Sequence, residues 1–492
     1  MDDPERMEHL IRRHLSSCGL LACGDLPWCI KSSELNGRGL FAARDIAQGE
    51  EIVVDAPVVL GPRCGENKFP MCVNCHRTGI TLFPCDRGCG LPVCSDTCEN
   101  APEHVDRECE ILRKWRPNCG PMFSKELLMS VIVVRSLVLG DEDKELIMAF
   151  KGHGGSRHGR EIELLKRNLD GEIDPEDEEF MLNVCKIMDT NAMETATIAD
   201  NLRTISLRGI YPIGAMQNHS CTPNTRHFFK TNDIMSVYAA VDIKKGEELT
   251  MTYISPFWDT FIRRRYLMMS KHFECRCRRC SDQSEYGSNV GAMWCANISC
   301  YGLMLPVDPL SWTTPWICKQ CGQTVSFRQI KAIISGIDSI VNGYLYKSPR
   351  EILNFVRGEL KILVPEMNSS MLQMKYRVIS YFGRTEELQF KDLTDEELQV
   401  KSKYCQELLD MIDKLQLGDC QLKGFILYEL YCTIKEESSR RQYEISTPTS
   451  KEFKRNTRKI LDKAVEILQD DVASPDDLKS LKTSNTSTGT NP

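Results

Sequence analysis

Apolar positions along the chain follow a period of two in some stretches and three-to-four spacing in others. After Gly49 the run Glu50-Glu51-Ile52-Val53-Val54 reads as a strand, because β-branched side chains fit a pleated surface. The segments Ile210 to Met216 and Phe228 to Val241 read the same way. The second leads through Lys244-Lys245-Gly246-Glu247-Glu248 into an alternation ending at Tyr253, which predicts a hairpin with an aromatic hydroxyl at its end. Between Pro121 and Asp200 the pattern is helical. Leu127, Leu128, Val131, Ile132 and the stretch Arg135 to Leu139 predict a buried helix, and Phe180 to Met188 resumes one before Asn191-Ala192-Met193-Glu194. Lys151 to Gly159 reads as a flexible loop with solvent-exposed histidines, no cysteine or carboxylate standing near them at ligand spacing. From Ile330 onward helices are expected over Arg350 to Leu363, Met371 to Phe382, Glu396 to Leu415, Leu422 to Lys435 and Phe453 to Gln469, pairs of which stack as a short solenoid without a strict repeat. The Lys, Ser, Thr and Asn-rich tail beyond Ser474 predicts disorder.

One polar run interrupts the apolar pattern at its centre: Met216-Gln217-Asn218-His219-Ser220-Cys221-Thr222-Pro223-Asn224. So many hydrogen-bonding groups between apolar segments either hold a polar ligand or form a self-satisfied turn bent by Pro223 and Asn224. Upstream, Gly37-Arg38-Gly39 permits a tight turn or the close approach of a ligand.

Composition narrows the class. The 492 residues suffice for several domains with cores, and 41% hydrophobic with 27% charged residues is ordinary for a globular protein. Met1 to Arg13 is charged without an apolar core, unlike a secretory signal, and Leu127 to Leu139 is too short to span a bilayer. The expected setting is therefore inside the cell, off the membrane. There, 24 cysteines point to metal ahead of disulfides. A net charge of −7 gives no electrostatic basis for broad nucleic-acid binding.

Cysteine spacing carries the strongest chemical signal. Cys72-x2-Cys75, Cys85-x3-Cys89, Cys94-x3-Cys98 and His104-x4-Cys109 place eight soft ligands in 38 residues, enough for two tetrahedral zinc ions. This finger holds seven acidic residues against three arginines, which favours a structural or protein-binding role. Cys275-x-Cys277-x2-Cys280 supplies three quarters of another site, and Cys221 is the natural distant fourth ligand, closing a pocket between the central run and the chain after Tyr253. Cys295-x4-Cys300 with Cys318-x2-Cys321, bracketed by Trp294 and Trp316, makes a fourth set. The other nine cysteines read as small core or surface residues.

Gly37-Arg38-Gly39, Asn218-His219-Ser220-Cys221, Gly246-Glu247-Glu248 with Tyr253, and the Cys-x-Cys-x2-Cys block occur in the order of a SET methyltransferase domain. With the eight-ligand finger inserted after the first motif, the chain resembles the SET and MYND domain (SMYD) protein-lysine methyltransferases, and its last cysteine set resembles the arthropod branch. The resemblance implies an α+β fold: an N-terminal part of the SET domain (1–70), a MYND zinc finger (71–110), a helical insert (111–200), the SET core with a knot-like crossing (201–256), a post-SET zinc segment (257–285), a four-cysteine zinc ribbon (286–325), a TPR-like helical C-terminal domain (326–473) and a disordered tail (474–492). It also implies interleaved finger sites, Cys72, Cys75, Cys94 and Cys98 on one zinc and Cys85, Cys89, His104 and Cys109 on the other.

By the same resemblance, S-adenosylmethionine is the cofactor beside about four zinc ions. Gly37, Arg38 and Gly39 would line its methionine end with Asn191 nearby. Asn218 and His219 would hold the adenine through their main chain, Phe273 would stack on it, and Tyr253 would stand where a lysine channel meets the methyl group. Methyl transfer from a sulfonium to an amine needs alignment more than a base, because the cofactor carries the reactivity. Lysine, ordinarily of pKa about 10.4, must first lose its proton, which the sulfonium charge and a dry channel favour. One departure bears on activity: Lys271 occupies a position where relatives often carry a channel aromatic. The expected substrate is a histone or other protein with a target lysine. Further protein partners are expected through the finger and C-terminal helices, with no direct nucleic-acid contact, a monomeric state, and a cytoplasmic and nuclear location. The alternative is a zinc-dependent interaction scaffold or corepressor with weak or lost catalysis.

Overall fold

The computed structural model describes residues 3–21, 24–63, 70–153, 159–198, 204–230, 233–440, 448–468 and 471–479. Three small antiparallel sheets form its first half. One joins Trp28–Ser32, Arg38–Ala42 and Glu248–Leu249; a second joins Glu51–Asp55, Met235–Ala239 and Thr225–Phe229; a third joins Val59–Pro62, Thr204–Ile210 and Met193–Ile198. The first two strands are a hairpin in which Ser32 faces Arg38, so the glycine-flanked Arg38 opens a strand at its turn.

Two sequence expectations fail here. Ile210 to Met216 is not a strand: Thr204–Ile210 ends there, and Pro212–Met216 turns into a short helix with proline in its first turn. Buried Asp55 accepts the Ile213 and Gly214 N–H groups at 2.8 and 3.0 Å, satisfying donors that a helix start leaves unpaired. Nor do the segments around Gly246 form a hairpin with each other. Met235–Ala239 pairs within the second sheet, whereas Glu248–Leu249 crosses to Arg38–Ala42, where buried Leu249 stands opposite buried Leu40.

The helices follow the apolar periodicity more closely. Lys125–Leu137 buries Leu127, Leu128, Val131 and Ile132, and Pro175–Asn191 extends further than expected, so Asn191 closes the helix. Arg350 to Leu363 is two helices, Pro349–Arg357 and Glu359–Leu363, broken at Gly358, whose φ of −104° and ψ of −94° are not helical. The charged N-terminus also hides a helix, Pro4–Ser17, which Asp3 caps and whose Met7, Leu10, Ile11 and Leu15 are buried. Among the described loop residues, His153 is half-buried and packs edge-on to His272 with ring centroids 5.2 Å apart, contrary to the exposed reading; His158 lies outside the described residues. The chain is ordered into a helical turn with buried Leu478, so the predicted tail starts too early at 474, and residues 480–492 lie outside the description. Among the described residues, no helix is long and apolar enough to cross a membrane.

One core unites the three sheets, the finger and the helical insert, and another unites the four-stranded ribbon of residues 293–325 with the C-terminal helices. The two halves are tied at the second sheet. Arg226 donates to the Ile467 carbonyl at 3.1 Å, Val472 N–H to Phe229 at 2.8 Å, and Asp419 N–H to Ala240 at 2.9 Å.

Candidate active site and metal centres

The central polar run owes its position to a parallel pairing with the strand segment before Tyr253. Met251 N–H donates to Asn218 at 3.0 Å and Ser220 N–H to Met251 at 2.9 Å, so His219 faces Met251 with its own main-chain groups outside the pairing. The Asn218 carbonyl is thus already engaged by Met251, whereas both main-chain groups of His219 stay available to a base. The Asn218 side chain points elsewhere, donating to Arg38 O at 3.0 Å and Glu248 Oε1 at 2.7 Å. A Cβ at Gly39 would collide with that carboxylate and press on the Asn218 amide. Gly39 therefore lies behind the site and lets the hairpin close on Asn218, while Gly37, at φ +56°, makes the turn.

A cavity of about 400 Å³ opens at this junction, and distant segments converge on it: Gly37 and Arg38, Asn191, Asn218 and His219, Tyr253, and Phe273. Every cofactor residue expected from sequence except Gly39 lines it. Arg38 is anchored by donation to Ala149 O at 2.7 Å. The Asn191 amide nitrogen is spent on Lys151 O and Ile187 O, both 2.8 Å away, so its carbonyl oxygen is the acceptor it can offer an ammonium group.

The aromatic wall is built on His219. Its Nδ1 accepts the Tyr253 N–H at 3.1 Å, so in the neutral ring Nε2 carries the proton and donates to Cys221 Sγ at 3.3 Å. Burial favours that neutral form, lowering the pKa to about 3. Tyr253 and Phe273 stand on either side with centroids 5.2 and 6.0 Å from the imidazole. The Tyr253 hydroxyl donates to Gln217 O at 2.6 Å, and burial raises its pKa, so it keeps its proton. Lys271, marked from sequence as a departure, lies in the same cavity: its Nζ is 5.5 Å from the Tyr253 ring centroid and donates to Thr190 O at 2.7 Å. Gln217, read from sequence only as part of the polar run, and Thr190, which sequence reading missed, act through main-chain carbonyls that carry no residue-type signal.

A second cavity of about 610 Å³ continues from the first, sharing Glu194, His227, Met251 and Thr252, and is closed by Gln421 and Asp471 of the C-terminal region.

Among the described residues, four groups bring their ligand atoms within 4.8 Å of one another: Cys72, Cys75, Cys94 and Cys98; Cys85, Cys89, His104 and Cys109; Cys221, Cys275, Cys277 and Cys280; and Cys295, Cys300, Cys318 and Cys321. These are the interleaved finger pairs, the long-range Cys221 set and the ribbon set. Their surroundings fit tetrahedral cations. His104 Nδ1 meets buried Glu108 at 3.1 Å, and Glu108 is held by Arg135 at 3.1 Å, fixing the ring so that Nε2 faces the thiols. Around Cys221, two fully buried guanidiniums converge: Arg263 reaches Cys221 Sγ at 3.2 Å, Cys280 Sγ at 3.5 Å and Glu285 at 2.6 Å, and Arg279 reaches the same carboxylate at 2.8 Å and Cys221 O at 3.2 Å. One carboxylate cannot balance two buried cations. Four thiolates on a divalent ion carry two negative charges, which more than offset the excess positive charge. Arg263 and Arg279 were missed because arginines normally read as a solvated face; the signal was that Arg263 lies between Cys221 and a block of thiolates and Arg279 within that block, while Glu285, beyond it, carried no signal of its own.

Comparison with known proteins agrees with this geometry. The SET domain family model matches residues 37–254. The chain is 32% identical to the SET domain-containing protein SmydA-8, isoform A, of Drosophila melanogaster, over 87% of this chain and 92% of that protein. It is 23% identical to the histone-lysine N-methyltransferase ASHR1 of Arabidopsis thaliana, over 81% and 85% respectively. With the histone-lysine N-methyltransferase SET5 of Candida glabrata it shares 26% identity, over 51% of this chain and 56% of that one.

Proposed function

Because the chain belongs to the SMYD family of SET-domain proteins, we propose that it is an S-adenosylmethionine-dependent protein-lysine N-methyltransferase, with zinc in its four cysteine clusters. The observation that carries this reading is the convergence of Arg38, Asn191, His219, Tyr253 and Phe273 on one cavity that continues into a second, larger one. Relatives named as histone-lysine N-methyltransferases support the lysine acceptor.

When bound, S-adenosylmethionine supplies an electrophilic methyl group on a sulfonium. The chain supplies alignment. Asn191 offers an acceptor for the ammonium of the methionine moiety, Phe273 a face for the adenine, and His219 its main-chain groups for the base edge. Tyr253, protonated and held by Gln217, is a fixed wall for the incoming amine. The second cavity gives a protein segment a path to that wall between the sheets and the C-terminal region. The test is transfer of label from methyl-labelled S-adenosylmethionine to a protein mixture: labelled lysine is expected with the native chain and about 10²-fold less with Tyr253→Phe, and no labelled protein at cofactor saturation would overturn the reading. A second reading, an interaction scaffold, is favoured by Lys271, whose amine stands over the Tyr253 ring where a substrate amine would pass. It predicts cofactor binding without transfer to added proteins.

A further inference from the structure

The amine of Lys271 is not on the surface, where a lysine belongs. It extends into the cavity from the C-terminal end of the helix Thr260–Lys271, crosses the Tyr253 ring at 5.5 Å and ends on the Thr190 carbonyl, one residue before Asn191. Its stem is half-buried among cavity walls, and the charged groups around it are Glu194, Asp189 and Arg63, with Arg63 paired to Glu194. Among the described residues it has no ion-pair partner, only one carbonyl and one aromatic face. An aromatic wall and a main-chain acceptor for one amine hydrogen are what orients a target amine for methyl transfer.

We propose that Lys271 is itself a methyl acceptor, so that the protein methylates its own active-site lysine. This rests on the proposed cofactor site. The ammonium first gives a proton to water, a loss that burial favours by lowering its pKa. The free electron pair on Nζ then forms a bond to the methyl carbon of the sulfonium donor as the carbon–sulfur bond breaks. Its electrons stay on sulfur, giving a neutral thioether, and the positive charge passes to the methylated amine. The four-carbon stem gives Nζ the freedom to leave Thr190 and rotate within the cavity. Methylation keeps the cation–π contact with Tyr253 while removing an amine hydrogen. A fully methylated Lys271 would donate nothing to Thr190 and would fill the acceptor side of the cavity, so self-modification would also regulate access by other lysines.

The experiment uses the full-length zinc-loaded chain with methyl-labelled S-adenosylmethionine and no other protein. Calorimetry with S-adenosylhomocysteine is run in parallel, and the peptide containing residue 271 is mapped by mass both as purified and after incubation. Expected are cofactor-product binding, a methyl mass increment on Lys271 at a first-order rate that does not change with protein concentration, and loss of that label in Lys271→Arg and in Tyr253→Phe while binding persists. Binding with Lys271 unmodified would overturn the proposal and leave the cofactor site standing, with Lys271 a tether to Thr190. A rate that rises with protein concentration would overturn the intramolecular route. No binding at all would overturn this proposal together with the cofactor site.

Discussion

Arg263 is the sharpest place to test whether metal charge organises the site. It is fully buried, and five contacts hold it: Glu285 at 2.6 Å, Trp258 O at 2.5 Å, Thr260 Oγ1 at 2.9 Å, and Cys221 and Cys280 sulfurs at 3.2 and 3.5 Å. Counting four thiolates, one divalent ion, Arg263, Arg279 and Glu285, the buried charge is minus one. Replacing Arg263 with methionine makes it minus two, whereas replacing Glu285 with glutamine makes it zero. Breaking a buried pair by removing one partner costs about 3–5 kcal/mol, because the survivor stays desolvated. Arg263→Met should therefore lose about that much in the zinc-loaded protein, and Glu285→Gln under about 2 kcal/mol, near the value of lost hydrogen bonds alone. Once zinc is removed and the thiols are protonated, the order reverses, because Glu285→Gln then leaves two buried guanidiniums without a counterion. The assay is urea denaturation with and without zinc, followed by tryptophan fluorescence and by release of zinc to a chromogenic chelator. Equal losses for the two variants in zinc, or the same order with and without it, would refute the charge argument.

Other consequences follow from single contacts. Gly39→Ala forces a methyl group onto Glu248 and Asn218, and is expected to cost about 1–3 kcal/mol in thermal or urea unfolding and to weaken cofactor binding. Tyr253→Phe loses the hydroxyl held by Gln217, so methyl transfer should fall about 10²-fold while calorimetric cofactor affinity stays close to native. Chelation of zinc should abolish cofactor binding before the C-terminal helices unfold, because His219 is anchored through Cys221; binding that survives complete zinc loss would contradict this link. Asp55 has a folded pKa raised to about 7 by burial, above its unfolded value, so the folded state holds its proton more tightly. Its penalty is absent below pH about 4 and complete above pH about 7. Stability measured between those limits should decline less with rising pH in Asp55→Asn than in the native chain.

The sequence made ligand chemistry readable wherever residue type alone decides it. Cysteine spacing located the finger and ribbon sets, and an incomplete triplet pointed to distant Cys221, because thiols at such intervals have few other uses. Glycine, asparagine and aromatic positions around the cavity were legible through the motif order they share with SET domains. What stayed hidden depends on partners distant in sequence. Asp55 reads as an ordinary strand end until Pro212–Met216 is seen to start over it, and Arg263 reads as helix surface until thiolates surround it. The short helix at Pro212 was mistaken for a strand because five apolar residues fit either period. The false hairpin at Gly246 came from local turn chemistry, which is correct for the turn and silent on which sheet receives the next strand. Lys271 was noticed as an odd residue, but only the packing shows its amine crossing the Tyr253 ring.

S-adenosylmethionine is proposed to occupy the cavity between His219, Asn191 and Phe273. The most direct measurement is calorimetric titration of the zinc-replete chain with S-adenosylmethionine beside a Phe273→Ala variant. Saturable one-to-one binding is predicted, weakened in the variant by the loss of base stacking, about 1–3 kcal/mol or roughly 5- to 150-fold. No binding to the native chain, or equal binding to both, would contradict it.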